Sequence, residues 1–348
     1  MDERVAEILA GEEAWIVGGA VRDALLGRPI VDVDVACRDP REAARRFARR
    51  FGGSPFPLSE RHGAWRVVHE GSEETVDFTP LPAGIEADLA TRDFTLNAIA
   101  VPVGGPGAEY VDPYHGRADL EAGVLRAVSE SIFVDDPLRL LRAVRLEDEL
   151  GLRIEERTEG LLRASTPLVG EPAGERILGE LRRLSAAGYR RLDELGLLEP
   201  LGGSLEGPLE ALDDPDFRLV VVFRERVRRF PVSRELRRYA NALLRARRPA
   251  DDSARPIHRF RRATEPWALH ALAFLGAEDL REAVEEARRS HPAEPLVRGD
   301  ELGLLPGPEI GRILALIEEE RAAGTISTRE EALALARSLA GGGEGEAR

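Results

Sequence analysis

Over the first third of the chain, short apolar or β-branched runs alternate with stretches of helical spacing. Trp15-Ile-Val-Gly reads as a buried strand, and Ala20 to Leu26 and Arg41 to Phe51 as helices. Between the helices, Val31-Asp-Val-Asp-Val alternates apolar with acidic positions, the period of a half-buried strand. Ala64 to His69 and Thr75 to Phe78 add two strands with a turn between them. These elements predict an α/β or α+β domain ending near Ala127. After Asp135 the spacing turns helical: Leu138, Leu141 and Val144 lead to a stop at Gly151, and Glu175 to Leu184 forms another helix. Pro and Gly breaks near 200–208, 249–256 and 292–306 separate further helices, so everything from about residue 128 is expected to be all-α. The closing Gly-Gly-Gly-Glu-Gly-Glu-Ala-Arg, residues 341–348, reads as a frayed, disordered tail.

Composition narrows the class. The chain has 348 residues, more than the roughly 250–300 at which one core stops growing, so two or more domains are expected. With 43% hydrophobic and 32% charged residues, disorder of the whole chain is excluded. No apolar run approaches the roughly 20 residues of a bilayer span. The opening Met1-Asp2-Glu3 lacks the basic-then-apolar order of a signal peptide, so the expected location is cytoplasmic, with no membrane partner. The single Cys37 cannot form an intrachain disulfide and the six His show no metal-finger spacing, which leaves carboxylates to hold any catalytic metal.

Net charge is −14, which by itself argues against nucleic acid. The charge is uneven, however. Every basic residue is Arg, and between Arg224 and Arg262 there are 14 Arg against four acids, a local balance of +10 that leaves −24 on the rest. Such bunching is what a phosphate-backbone footprint leaves, and also what a solvated helical face leaves. The candidates within it are Arg224, Arg228, Arg229, Arg237, Arg238, Arg245, Arg247 and Arg248.

The chemistry begins at Gly18-Gly19-Ala20-Val21-Arg22-Asp23, after a strand and opening a helix. Glycines there admit a polyphosphate close to the backbone, the helix start offers free N–H groups, and Arg22 can hold phosphate oxygens. A tight strand-to-helix turn explains the glycines equally well. Asp32 and Asp34 lie two apart on the next strand, so both carboxylates face one side. Two carboxylates side by side repel unless a cation lies between them, and Mg²⁺ binds through a few carboxylates plus substrate phosphates. Asp77, on a neighbouring strand, would complete a two-metal phosphoryl-transfer site. Trp15, Trp65 and Cys37 read as core, and His62 and His115 as loop histidines.

Together with segments further along, these residues resemble the class II tRNA nucleotidyltransferases and bacterial poly(A) polymerases, of the polymerase-β-like nucleotidyltransferase superfamily. Gly18 to Asp23 with Asp32 and Asp34 is similar to the catalytic motif, and Arg92-Asp-Phe-Thr-Leu-Asn-Ala-Ile-Ala to the ribose-contacting segment. Asp112-Pro-Tyr-His-Gly resembles the strand-end segment closing the head, Asp135-Asp-Pro-Leu-Arg the base-reading motif, and Glu175-Arg-Ile with Glu180 the neck helix. Gly299-Asp-Glu-Leu and Pro306-Gly-Pro-Glu-Ile-Gly are similar to the tail.

The resemblance implies a nucleotidyltransferase head (1–127), a helical neck with base recognition (128–188), an Arg-rich tRNA-binding body (189–290) and a helical tail (291–340). It implies two Mg²⁺ on Asp32 and Asp34 with Asp77 as third catalytic carboxylate, and the triphosphate on Gly18, Gly19 and Arg22. Arg92, Asp93 and Asn97 would hold the ribose, and Asp136 and Arg139 would read the base, with Arg142 and Arg145 further nucleotide-site candidates. A carboxylate and a guanidinium three apart on a helix share one face, and such a pair matches the edge of cytosine or adenine. The substrates implied are CTP and ATP, and the partner is tRNA through its acceptor and TΨC arms. The sequence departs from the pattern at Thr91, where the family has a second Arg, and at Asp135, where it has Glu. Only 14 residues, 78–91, separate Asp77 from Arg92, where members that add the terminal A carry a longer loop; the shortness favours CC addition. Poly(A) polymerase and a catalytically silent RNA-binding homologue remain the alternatives.

Overall fold

The computed structural model describes residues 3–59, 63–69, 71, 74–104, 109–290 and 294–341. His62 and all but the first residue of the predicted frayed tail lie outside them. The chain divides into two compact units, Met1–Leu201 and Gly202–Arg348.

The first unit runs α1 (Glu3–Leu9), β1 (Ala14–Val17), α2 (Gly19–Leu25), β2 (Asp32–Cys37), α3 (Pro40–Phe51), β3 (Ser54–Ser59), β4 (Ala64–Val68), β5 (Thr75–Pro80), α4 (Ile85–Ala90), β6 (Ala100–Pro102), α5 (Gly116–Glu121) and β7 (Val124–Leu125). It continues with α6 (Ile132–Asp135), α7 (Leu138–Leu150), β8 (Arg153–Ile154), α8 (Glu156–Ala164), α9 (Gly174–Leu181), α10 (Ala186–Glu194) and α11 (Leu198–Leu201). Six strands form one mixed sheet in the order β3-β4-β5-β2-β1-β6, in which only β2 and β5 pair in parallel.

The alternation in β2 sorts its residues onto two faces. Val33, Val35 and Cys37 join Val76, Phe78 and Val67 in a core sealed by Phe47 of α3 and Val5 and Leu9 of α1. Removing a fully buried ring such as Phe47 would cost about 3–5 kcal/mol. Asp32, Asp34 and Ala36 take the other face, where Val17, Leu81, Leu89 and Ala98 form a smaller cluster around Ala36. Helix α3 starts where Asp39 accepts from the Glu42 N–H at 3.0 Å ahead of Pro40, and it ends at Gly52.

The expected strands and helices are present within two residues, except that the helix expected to reach Leu184 ends at Leu181, and Trp15 and Trp65 pack half-buried against the two clusters. Several short elements have no counterpart in the sequence analysis, and two of them run against it. Pro55 and Pro57 argue against a strand, yet β3 forms because it is an edge, where a missing N–H leaves no ladder bond unmade. The region after residue 128 is helical except for β8, which pairs in parallel with β7.

The second unit is helical: α12 (Pro215–Phe223), α13 (Arg234–Arg245), α14 (Ala254–Thr264), α15 (Ala268–Leu275), α16 (Arg281–Arg289), α17 (Pro308–Ala322) and α18 (Arg329–Gly341), with short 3₁₀ turns. Helix α13 buries Leu236, Tyr239, Ala240 and Leu243 on one stripe and leaves its arginines outside. Among the described residues, no helix is long and apolar enough to cross a membrane.

Candidate active site

The β1–α2 turn, β2 and β5 bring the first three acids together. Asp34 and Asp77 are directly paired residues of the parallel strands, and Asp32 pairs with Thr75, whose hydroxyl donates to its carboxylate at 2.7 Å. Gly18, with φ 71°, opens α2 beside them. A Cβ at that position would stand 3.1 Å from Asp34 Oδ2 and 3.1 Å from Arg92 Nη1, so only glycine lets the turn pass this closely. Burial pushes the Asp34 carboxyl up; Asp77 and Asp32 add to the rise, and Arg92 and Arg142 oppose it. A buried carboxylate in this state is short of positive charge.

Asp77, however, is already engaged. Arg66 of β4 donates to both its oxygens, Nε to Oδ1 at 2.7 Å and Nη2 to Oδ2 at 2.7 Å. Among the described residues, no three His, Cys, Asp or Glu side chains converge into a preformed cage. The donor set that remains, two carboxylates on one strand face with Asp34 half-buried, fits a hard divalent cation that completes its shell with water and phosphate.

Arg22 is fixed rather than free-swinging. It donates to Asp23 through Nε and Nη2, each at 3.0 Å, and to Asn97 Oδ1 at 2.8 Å. Burial lowers its proton affinity, an effect Asp23 partly offsets. Asn97 in turn donates to Asp93 at 2.9 Å, so the residues expected at triphosphate and ribose form one chain of bonds. Asp93 is buried; burial pushes its carboxyl up, but Arg142 at 2.9 Å, Asn97 and the Phe94 N–H outweigh that and leave it below the usual carboxylate range. Arg92 is held by Asp88 of α4 at 2.8 Å.

Behind this segment, Gly116 packs so tightly on Thr95 that a Cβ would overlap the Thr95 carbonyl oxygen. Asp112 accepts from the Gly116 and Arg117 N–H groups, and Asp119 from Thr95 and Arg126. The Asp112–Gly116 segment therefore supports the ribose segment from behind, and His115 is an exposed residue at the start of α5.

The pair expected to read a base is arranged differently from two positions on a helix. Asp136 is extended (φ −146°) and precedes Pro137, whose ring disfavours helical backbone before it; α7 begins only at Leu138. Asp136 still lies close to Arg139, and its oxygens accept from Arg176 of α9 at 2.7 and 3.3 Å and from the Leu138 N–H. Burial would raise its carboxyl, but Arg176 and the Leu138 N–H bring it below its ordinary value. Arg139 donates to the carbonyl of Thr91 at 2.7 Å. Arg145 is 5% exposed, ties α7 to α9 through Glu149 and Glu180, and lies within electrostatic reach of Arg22.

Two residues given no role by the sequence reading matter here, Arg66 and Arg176. An arginine inside the strand next to the one carrying Asp77 was visible, but its pairing with Asp77 is a matter of register.

The Arg-rich stretch is heterogeneous. Arg224 and Arg238 lie over the rings of Phe274 and Trp267, Arg228 meets Asn241, and Arg248 pairs with Asp279. Arg229, Arg237, Arg245 and Arg247 are exposed, and their side chains make no ion pair or hydrogen bond among the described residues.

A poly(A) polymerase head domain model matches residues 14–83 and 61–126. A CC-adding tRNA nucleotidyltransferase of Geobacter sulfurreducens is 47% identical over 176 residues, 50% of this chain and 40% of that protein. An A-adding tRNA nucleotidyltransferase of Deinococcus radiodurans is 34% identical over 94% of this chain and 95% of its own length. A CC-adding enzyme of Thermus thermophilus is 34% identical over 97% and 96%. In fold, the chain is similar to a CCA-adding enzyme solved with ATP (TM-score 0.77, 22% identity, 98% of this chain and 96% of that one). It is also similar to the Thermotoga maritima CCA-adding enzyme complexed with tRNA (TM-score 0.72, 22% identity, 98% and 95%).

Proposed function

Because this chain belongs to the tRNA nucleotidyltransferase and poly(A) polymerase family, we propose that it adds cytidylate to the 3′ end of tRNA and stops after CC. The tRNA 3′-hydroxyl attacks the α-phosphate of CTP and pyrophosphate leaves. Asp32 and Asp34 hold the divalent cation, two Mg²⁺ in the full site, with Asp77 as third carboxylate. When bound, the metal lowers the pKa of the attacking hydroxyl and neutralises charge on the departing pyrophosphate. Gly18 and Gly19 admit the triphosphate to the backbone, and Arg22, pre-aimed by Asp23 and Asn97, binds its oxygens. Arg92, Asp93 and Asn97 face the ribose, with Arg142 fixing Asp93. Asp136 and Arg139 present an acceptor and a donor fork to the base. Head (1–127), neck (128–188), body (189–290) and tail (291–340) divide the work of chemistry, base reading and grip on the acceptor and TΨC arms.

One observation carries the stop after CC. Residues 78–91 are folded without slack: Leu81 and Leu89 are buried, α4 follows β5 almost at once, and the Thr91 carbonyl at its end holds Arg139 at 2.7 Å. A base reader tied to a short, packed segment has one setting. Identity does not decide the matter, since A-adding and CC-adding relatives are both 34% identical over nearly the whole chain. The test is incorporation of labelled CMP into a tRNA transcript lacking CCA. Mg²⁺-dependent incorporation that disappears in a folded Asp34→Asn variant supports the proposal, and undiminished incorporation in that variant overturns it.

A further inference from the structure

Arg66 and Asp77 sit directly opposite each other on antiparallel β4 and β5. Trp65 and Val67 turn into the core, so the pleat puts Arg66 on the sheet face that carries Asp32, Asp34 and Asp77. Its guanidinium forks both Asp77 oxygens at 2.7 Å. The Asp77 side chain is 12% exposed and that of Arg66 33%, so the carboxylate is closed in while the arginine borders solvent. One lone pair on each Asp77 oxygen is thereby taken by a charged donor, and an arginine cannot release it by losing a proton.

We infer that Arg66 is a positioning residue that competes with the divalent cation for Asp77: a metal held by Asp32 and Asp34 gains Asp77 as a ligand only against the Arg66 guanidinium, either displacing it or binding beside its like charge. In the metal-free protein Arg66 neutralises Asp77, while Arg92 and Arg142 act on Asp34. Arg66 holds Asp77 in place while weakening the site for metal, and it sets the metal concentration at which all three carboxylates come into use. The inference rests on the reading that Asp32 and Asp34 bind the cation.

The test uses Mn²⁺ alone, titrated into the full-length chain without nucleotide or RNA, with free Mn²⁺ read by electron paramagnetic resonance. Arg66→Gln should bind Mn²⁺ about fivefold more tightly, the order expected when a close unit charge of like sign is removed and a carboxylate is freed in a solvated site. Combining it with Asp77→Asn should return affinity to the wild-type value or below, and Asp77→Asn alone, which removes a unit negative charge and leaves the Arg66 guanidinium unpaired beside the site, should weaken Mn²⁺ binding by a comparable factor. Arg66→Lys keeps the charge but cannot fork, and should tighten binding in the same direction by a smaller factor; it carries the test if Arg66→Gln does not fold by circular dichroism. No gain in either Arg66 variant, or a gain that survives Asp77→Asn, overturns the inference. Asp32→Asn and Asp34→Asn separate the two readings. If both leave Mn²⁺ binding intact, the metal site itself is wrong and the inference falls with it; if they abolish binding while the Arg66 variants show no gain, only the role of Arg66 is refuted.

Discussion

Around Asp34 each arginine has an acidic partner, whereas along α13 none does. Arg22 meets Asp23, Arg66 meets Asp77, Arg92 meets Asp88 and Arg142 meets Asp93. On and beside α13, Arg229, Arg234, Arg237, Arg245 and Arg247 make no ion pair among the described residues. The same side chain thus serves two ends. Paired in a partly buried site, a guanidinium holds a carboxylate or an amide at a set position for chemistry. Left in water, it is a cation available to any phosphate that comes within reach. Helix α14 shows that sequence alone does not sort the two: Arg255 and Arg259, inside the same basic stretch, pair with Glu320 and Glu319 of α17. The balance of +10 between residues 224 and 262 therefore overstates the charge on offer to RNA.

The strongest way to break this comparison is at Asp34. Replacing it by Asn should lower CMP addition by about 10³-fold or more, equivalent to about 4 kcal/mol of transition-state stabilisation. The same change should raise the melting temperature of the metal-free protein, because burial holds the Asp34 carboxyl above its ordinary value and its charge at neutral pH is a cost to the fold. Calorimetry in chelator checks the second half, and a lower melting temperature would show that the site is not short of positive charge.

Next in size, changing Arg237, Arg245 and Arg247 together to Gln should weaken tRNA binding by about tenfold and reduce the slope of log affinity against log salt by roughly 2. The KM for CTP should stay within about twofold, since no catalytic contact is touched. Fluorescence anisotropy at several salt concentrations reads the slope; an unchanged slope would mean that these cations do not meet phosphate.

Asp93 allows a pH test on the paired side. Its folded carboxyl lies below the ordinary range, so the stability it contributes is complete at neutral pH and lost as pH falls through about 4 and below, where the unfolded chain takes up the proton first. Asp93→Asn should flatten that part of the acid-stability profile, measured by urea denaturation. If it melts with the same pH profile as wild type, the Arg142 pair is not what stabilises the charge.

The smallest effect is expected at Arg259. Arg259→Gln should lower the melting temperature slightly through loss of its pair with the buried Glu319 and leave the salt slope of tRNA binding unaltered. A slope change equal to that of an α13 arginine would erase the distinction drawn here.

Much of the head was readable from pattern alone. The two-residue period of Asp32 and Asp34 put both on one face, and the Gly18-Gly19 turn lay where the strand ended. What could not be read are properties of register. That Arg66 stands opposite Asp77 depends on the alignment of β4 with β5, which the alternation of each strand leaves open. That Asp136 is outside the helix could have been anticipated, because Pro137 follows it, but its capture by Arg176 crosses 40 residues of chain. Strand β3 was missed because two prolines count against a strand unless it is known to be an edge. The Arg-rich stretch was visible as composition, while its division into free and paired members required the partners on α17 and on the α15–α16 turn.

The central claim is that a base reader tied to a short segment adds C and stops. Purified protein with Mg²⁺ is incubated with tRNA transcripts ending before CCA and, separately, after CC, with CTP, ATP or both, and product length is read on a sequencing gel. The account predicts two C residues on the first transcript and nothing on the second. A single A on the CC-ended transcript, or an open-ended A tail on either, would contradict it.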